Sequence, residues 1–486
     1  MSRSSSSLPL PALRVDRDLG ISMQRQVYLS LRQAITEGRL RAGVRLPSTR
    51  QLAQSLAVSR NVVIAAFERL VVEGYLRSYV GSGTYVAPNR QHRRWEIRDN
   101  RRPPTSRWAR VTETLHLDGR AAGPFAPGMP AIDEFPRRRW TQLVARWWRK
   151  APLHLAGNEA LQGLSRLRGA IADYVGMMRG IACTADEVII TAGADQALHC
   201  IARLFADPGE PVLLEDPCDP SVRAVFEALD LVTMPAVVDD EGMRIDIGDE
   251  LRPRVAFTSP ASQDPLGVPM SAGRRYQLLE WAGRTGAVVV EDDRGCGLSD
   301  SGTLPLALKS IDSRGAVIYV SSFARTLLPG IALGFMIAPP GLIDLLTRAR
   351  SFSGRAPSPP EQAALADFIT EGDYARHLRR LQPIYDERRN ALHSEIRRQL
   401  GGGVTDIRAG NALHSIARLG ASFSDRAVAE EASRRGIHLA PLSAYSVRSD
   451  LPPALVLGYG STPASQMTAA VSILGEAFEA AHPRLG

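Results

Sequence analysis

Apolar positions along the chain follow two different rhythms. From Met23 to about Glu37, Val27, Leu31 and Ile35 recur every four residues, which predicts a helix stopped by Gly38. Ser48 stands as the N-cap of a helix over 49–56, and Ala57-Val58 make a short turn. Ser59 is placed to cap a longer helix over 60–73, closed by Gly74, with Val63, Ala66, Phe67 and Leu70 as its buried stripe. Two short strands, 75–79 and 84–86, flank a Val80-Gly81-Ser82-Gly83 hairpin tip. Three helices followed by a hairpin predict a winged helix-turn-helix over residues 21–88. Past residue 123 the rhythm changes. Short apolar runs at 188–191, 211–215, 254–259, 287–291, 317–321 and 332–338 alternate with helical segments such as 195–205 and 271–285. That alternation predicts an α/β domain over 123–486 with a largely parallel central sheet. From about residue 361, a long helix, strands near 412–419 and 454–459, and a final helix predict a smaller α+β lobe.

Two segments lack either rhythm. Residues 1–20 are rich in Ser and Pro and read as a flexible leader. Residues 89–122 contain Pro103-Pro104 and a dense run of arginines, and read as an Arg-rich linker. The first 122 residues hold 21 arginines against 9 acidic residues, a net of +12, so the +8 of the whole chain leaves −4 on the remainder. A basic head on a mildly acidic body fits a nucleic-acid module joined to a ligand-binding or enzyme module. With 44% apolar and 23% charged residues, wholesale disorder is excluded. No apolar run approaches the roughly 18–20 residues that span a bilayer, and no hydrophobic signal segment opens the chain. The cysteines at 183, 200, 218 and 296 lack metal-ligand spacing, so reduced thiols, no metal site, no membrane partner and a cytoplasmic location are expected. Lysine is almost absent: of 59 basic residues, Lys150 and Lys309 are the two lysines.

The third helix of the head begins Ser59-Arg60-Asn61. The positive end of a helix meets phosphate through its N–H groups, while Arg60 and Asn61 can reach guanine and adenine edges in the major groove. Ser48 and Arg50 open the preceding helix, and Gly81 at the hairpin tip allows close approach to the DNA backbone. The run Leu46-Pro47-Ser48-Thr49-Arg50-Gln51-Leu52-Ala53, then Val58-Ser59-Arg60, Leu70, Gly74 and Gly81-Ser82-Gly83-Thr84-Tyr85-Val86, resembles the DNA-binding domain of GntR-type regulators. The resemblance implies double-stranded operator DNA as partner.

The body carries a second resemblance. Thr191-Ala192-Gly193-Ala194-Asp195-Gln196-Ala197-Leu198, Glu215-Asp216-Pro217, Pro265-Leu266-Gly267, Val290-Glu291-Asp292-Asp293 and Ser321-Ser322-Phe323-Ala324-Arg325-Thr326 are similar, in order and spacing, to fold-type I aminotransferases. Joined to a GntR-type head, this is the layout of the MocR-type regulators. The resemblance implies a homodimer, a small-molecule effector and a pyridoxal phosphate site. In that site Gly193 and Ala194 open a phosphate-facing helix, Asp292 matches the carboxylate on the pyridine nitrogen, and Ser322 matches a phosphate contact.

The rest of the site departs from the family. Arg325 stands in the Schiff-base lysine slot, and a guanidinium stays protonated and forms no imine. Asp219 replaces a ring-stacking tyrosine, Arg294 a second tyrosine, Ser262 a histidine, Asp264 an asparagine, and Ala332 a phosphate-binding arginine. Neither Lys150 nor Lys309 lies in a cofactor motif. Three readings of the pocket stand: pyridoxal phosphate held without a covalent bond through Asp292, Ser322 and the Gly193 turn; another anionic ligand clamped by Arg325 and Arg294; or a scaffold that dimerises without ligand. The chain is read as a transcriptional regulator with no catalytic residues. The alternative is a pyridoxal phosphate-dependent aminotransferase fused to a DNA-binding head. Among weaker signals, Trp140, Trp147 and Trp148 with Arg139, Arg146 and Arg149 read as a packing face with solvated arginines. Arg408 and Arg448 are candidates for gripping a ligand carboxylate.

Overall fold

A computed structural model describes residues 15–16, 19–79, 81–88, 123–150, 161–246, 251–295, 297–298, 305–354, 356–411, 413–448 and 451–481. Most of the leader and all of the 89–122 linker lie outside the described residues, as does Cys296. The chain falls into two compact units whose boundary lies in that linker.

The first unit holds α1 (Met23–Thr36), α2 (Thr49–Ser55), α3 (Arg60–Val72), β1 (Leu76–Tyr79) and β2 (Gly83–Val86). Its core is small and dry: Leu31, Val63, Ala66 and Leu70 have no exposed surface, and Leu52 and Leu76 have almost none. Each buried leucine is worth about 1.5–3 kcal/mol. Ser48 and Gln51 form a reciprocal capping box that fixes where α2 starts. Ser59 sits at the N-cap of α3, but its side chain makes no cap hydrogen bond, so the expected hydroxyl cap is corrected. Gly74 has φ +78°, the left-handed value that ends α3. At the described end of the leader, Asp16 N–H donates to Gln26 Oε1 (2.8 Å) and Gln26 Nε2 donates back to Asp16 O (2.7 Å).

The second unit begins with α4 (Arg137–Lys150), α5 (Ser165–Arg179), β3 (Val188–Thr191), α6 (Gly193–Phe205), β4 (Pro211–Asp216), α7 (Pro220–Glu227), β5 (Val232–Asp239), β6 (Gly242–Met243) and β7 (Val255–Thr258). It continues through α8 (Ala272–Thr285), β8 (Val288–Asp292), β9 (Val317–Ser322), β10 (Gly334–Ile337), α9 (Ile343–Phe352), α10 (Pro359–Thr370) and α11 (Asp373–Leu400). β11 (Val404–Asn411), β12 (His414–Leu419), α12 (Asp425–Arg434), β13 (Ala440–Pro441), β14 (Ala454–Gly458) and α13 (Ala464–Ala481) complete it.

The large sheet runs β3-β10-β9-β8-β7-β4-β5-β6. The block from β9 to β5 is parallel, whereas β10 and β6 are antiparallel to their neighbours, so the sheet is mixed. Strand alternation sorts its side chains into two cores. Val212, Leu214, Val290 and Ile318 pack with α6, α7 and α9, whereas Leu213, Val289 and Val317 pack with Trp281 and Leu278 of α8. The smaller sheet, β11-β12-β14-β13, is antiparallel throughout. The start of this unit adds to the small lobe, because Phe125 bridges to Gly458 and its N–H donates to Thr462 Oγ1 (3.2 Å).

The apolar pattern does not announce β5, β6, β11 or β13. β5 and β11 carry mostly exposed or half-buried residues, β5 also contains Pro235, and β6 and β13 are two residues long. Such short or peripheral strands give little alternation to read. The tryptophan face also needs correction. Trp140 packs edge-on to Phe135 and Phe368, but Arg139 and Arg146 are ion-paired rather than solvated, to Glu371 and Asp373 and to Asp367 and Glu371.

Candidate functional site

In the head, Ser48, Arg50, Ser59, Arg60, Asn61 and Gly81 are all exposed. The turn between α2 and α3 brings their first residues together, and Arg60 Nε donates to Thr49 Oγ1 (3.3 Å). Ser48 is committed to its helix, because Oγ accepts from the Gln51 N–H and donates to Gln51 Oε1. Arg45 has no motif signal, yet it lies across the wing: it pairs with Tyr85 as a β-bridge, and a Cβ on Gly83 would meet its Nε at 2.8 Å. Tyr79 and Tyr85 meet edge to face at 5.8 Å on the hairpin.

In the body, the candidate pocket lies where parallel strands end, as expected for ligand sites in this architecture. β8 ends on Asp292 and β9 on Ser322. Gly334 pairs with both Thr191 and Ser322, and a Cβ on Gly334 would press into the Gly193 backbone, which fixes the turn entering α6. Gly193 has φ +81°. Ala194 is buried behind it. Strand alternation sends Glu291 to the opposite face from Asp292, where its oxygens accept from the Leu308 and Lys309 N–H groups (2.7 Å each).

Arg294 and Arg325 knit this pocket together. Arg294 Nε donates to Asp292 Oδ2 (2.7 Å), and its Nη1 lies 3.6 Å from Asp219 and 4.0 Å from Asp195. Arg325 Nη2 donates to Asp264 Oδ2 (2.7 Å) and lies 3.8 Å from Asp219. Asp219 also caps α7 by accepting from the Ser221 N–H (2.8 Å). Ser322 Oγ accepts from the Ala324 N–H (3.2 Å) and donates to Leu333 O (3.4 Å). Burial works against charge on Asp264, yet Arg325, His414 and Arg294 outweigh it and hold that carboxyl at about 2. Burial likewise opposes the charge on both guanidiniums, and their aspartates raise them above the ordinary arginine value. Asp195 and Gly128, where an added Cβ would lie 3.4 Å from Arg325 Nε, join the site without having been expected. The sequence signal of Asp195 is an acidic residue in the first turn of α6. Lys309 is influenced by Asp312, Glu187, Glu291 and Cys183, none of which belongs to the pocket network. Arg408 sits on the exposed side of β11, and the Arg448 N–H donates to Asp216 Oδ2 (3.3 Å). His377 and His414 are buried against the carbonyls of Thr326 (3.0 Å) and Pro265 (2.8 Å).

Residues 23–86 match the family described as bacterial regulatory proteins, gntR family. The probable rhizopine catabolism regulatory protein MocR of Rhizobium meliloti is 34% identical over 473 residues, covering 96% of each chain. The chain is a MocR-type regulator of the GntR family. The pyridoxine biosynthesis transcriptional regulator PdxR of Corynebacterium glutamicum is 29% identical, over 90% of this chain and 92% of its own. Kynurenine aminotransferase of Pyrococcus horikoshii, solved in complex with PMP, is 25% identical with a TM-score of 0.67, over 76% of this chain and 94% of its own. The MocR-type regulator therefore joins a gntR-family head to an aminotransferase-like body. No helix among the described residues is long and apolar enough to cross a membrane. No group of His, Cys, Asp or Glu among them could hold a metal ion.

One buried acid of this regulator yields a pH prediction. Glu215 accepts from Thr258 Oγ1 (2.6 Å), Ser259 N–H (3.0 Å) and Gln263 Nε2 (3.2 Å). Burial nonetheless pushes its carboxyl up to about 7 from 4.5, and nearby Asp292 adds to the rise. A raised folded value means the fold keeps a proton that the unfolded chain has already released. Its contribution is complete below the unfolded value and is lost as pH rises towards the folded one. Glu215→Gln removes the titration. The stability difference should move in the variant's favour by roughly 2–3 kcal/mol between about pH 5 and 8. Denaturant midpoints at both ends of that range test this, and a flat difference would show Glu215 ionised throughout.

Proposed function

We propose that this regulator binds operator DNA as a homodimer through the head at 21–88, and that the body at 123–486 dimerises and holds an effector pocket that does not use covalent pyridoxal phosphate. On this reading 89–122 tethers the two, and the protein works in the cytoplasm. Ser48, Arg50, Ser59, Arg60, Asn61 and Gly81 form the DNA face, Arg60 and Asn61 reading bases while the others, with Arg45, meet phosphate. The observation that carries the regulatory reading is the match of both head and body to MocR-type relatives over nearly the full length.

For the pocket, pyridoxal phosphate needs a neutral amine, a carboxylate for its ring nitrogen, an aromatic face and donors for its phosphate. Asp292 suits the ring nitrogen in kind. The remaining residues do not fit. Arg325 offers no imine-forming amine, Asp219 offers no aromatic face, Ser322 Oγ is engaged by its own backbone, and Asp195 and Asp219 oppose a phosphate. Gly193 and Ala194 keep the geometry of a phosphate turn beside those two carboxylates. The pocket is therefore read as an effector site that has left the enzyme chemistry behind.

The test of the head uses a duplex with two half-sites. Arg60→Ala should cost about 1–3 kcal/mol and relax preference at one base position, whereas loss of a phosphate contact weakens all sequences alike. If the dimer holds promoter and random DNA equally across a salt series, the reading of the head is wrong.

A further inference from the structure

The charges of the pocket say which class of ligand it suits. Arg294 and Arg325 are both already engaged by aspartates, with contacts to Asp292 and Asp264 at 2.7 Å. Four carboxylates, Asp195, Asp219, Asp264 and Asp292, share these two guanidiniums. An anion entering here would meet four carboxylates around two guanidiniums, an excess of negative charge, although Arg294 Nη2 is buried without a hydrogen-bond partner. The expected arginine clamp for an anionic ligand therefore rests on two guanidiniums whose charge aspartates already balance.

A second observation marks where a ligand would sit. Asp292 is 6% exposed, and its Oδ1 has no hydrogen-bond partner although its Oδ2 is held by Arg294. An orphaned carboxylate oxygen inside a low-dielectric pocket costs more than about 1–3 kcal/mol unless a donor fills it. Within the α/β unit, Tyr445 and His414 lie close enough to Asp264 and Arg325 to feel their charge. Burial lowers the His414 value and raises that of the Tyr445 hydroxyl.

We infer that this pocket binds a small organic cation, a protonated amine without an acid group, whose ammonium donates to Asp292 Oδ1 while Asp219 and Asp195 supply the surrounding negative charge. This rests on the reading of the pocket as one without covalent cofactor. It reverses the charge of the ligand that the fold's cofactor would supply. Burial pushes the Asp292 carboxyl up although Arg294 and Arg325 pull it down, which is the behaviour of a carboxylate short of cations. A bound ammonium removes that shortage.

The test uses the full-length protein with methylammonium and 1,4-diaminobutane as cationic probes, and inorganic phosphate, pyridoxal phosphate and β-alanine as controls. Calorimetry and thermal midpoints are read at constant ionic strength. The amines are expected to bind and stabilise, and phosphate and β-alanine to do neither. Asp292→Asn should weaken amine binding by about tenfold or more, since a hydrogen bond to a charged group is worth roughly 1.5–3 kcal/mol. Asp195→Asn, at the half-exposed rim, should weaken it by a smaller factor, and it decides the matter if the buried variant fails to fold. Stabilisation by phosphate but not by amines overturns the inference, as does amine binding that neither substitution alters, or no amine binding at all. The underlying reading fails separately: a borohydride-reducible adduct with pyridoxal phosphate sinks it whatever the amines do.

Discussion

Mixed with pyridoxal phosphate and treated with borohydride, the purified wild-type protein is expected to gain no covalently attached cofactor. On the proposed reading Arg325 stands in the lysine slot, and its guanidinium is held charged by Asp264 at 2.7 Å and Asp219 at 3.8 Å. A charged guanidinium has no lone pair to attack an aldehyde. The Arg325→Lys variant restores an amine but inherits the same two carboxylates. They favour its ammonium form, and each unit by which they raise its pKa adds about 1.4 kcal/mol to the cost of freeing the amine. Asp219 still offers no stacking face, and Ser322 still bonds Leu333 O and the Ala324 N–H. The variant should therefore take up only a small fraction of cofactor, with negligible transamination. Mass spectrometry after reduction, with peptide mapping, separates the outcomes. A fully labelled wild type with the label mapped to Lys150 or Lys309, rather than to the N-terminal amine, would mean that this lysine reaches the pocket. A fully loaded, active Arg325→Lys would mean that Arg325 alone removed the chemistry. Loading of Arg325→Lys that rises sharply when Asp264→Asn is added would support the ion-pair argument directly.

Much of this was legible in the sequence because the relevant signals are local. Helix starts and stops in the head are written in single residues, Ser48, Gly74 and the wing glycines, and each acts within its own turn. The buried strands of the large sheet are continuous apolar runs, so β3, β4, β7, β8, β9 and β10 could be found one by one. β5, β6, β11 and β13 could not, because a strand that is two residues long, or mostly exposed or half-buried, has no continuous apolar signature. The pocket was legible as a set of substitutions but not as a charge balance. Arg325 and Arg294 read from the chain as free cations. Their pairing with Asp264, Asp219 and Asp195 arises from the loops after β7 and β4 and from the first turn of α6, which only the folded sheet brings together. Arg139 and Arg146 misled in the same way, since their acidic partners lie more than two hundred residues away in sequence.

Gly267→Ala should unfold the body far more readily than a matched glycine substitution elsewhere. Gly267 has φ +74°, where an L-residue pays about 1–2 kcal/mol. Gly286 at the end of α8 has nearly the same conformation, φ +73°, and an added methyl there meets nothing within 4 Å. At Gly267 the methyl would overlap the carbonyl oxygen of Gly410 in β11, which is backbone and has no rotamer to move to. Gly410 cannot retreat, because it is packed in turn against His414 and Pro265 O (a Cβ there would lie 2.8 Å from the latter), and His414 Nε2 bonds that same oxygen at 2.8 Å. The turn carrying Gly267 is pinned from its own side as well, by its N–H to Gln263 O (2.6 Å) and by Leu266 N–H to Gln263 Oε1 (2.9 Å). The two lobes are thus interlocked backbone to backbone at this point. Gly267→Ala should lose more than about 4 kcal/mol, against about 1–2 kcal/mol for Gly286→Ala. Residues 1–88 contain no tryptophan, so tryptophan fluorescence during denaturant unfolding follows the rest of the chain. Because Asp264 lies three residues before Gly267, any Gly267→Ala protein that survives should also bind amines more weakly. Equal losses for the two glycine variants would show that the lobes part without strain, and that the approach of Gly267 to Gly410 is not what fixes Asp264 beside Arg325.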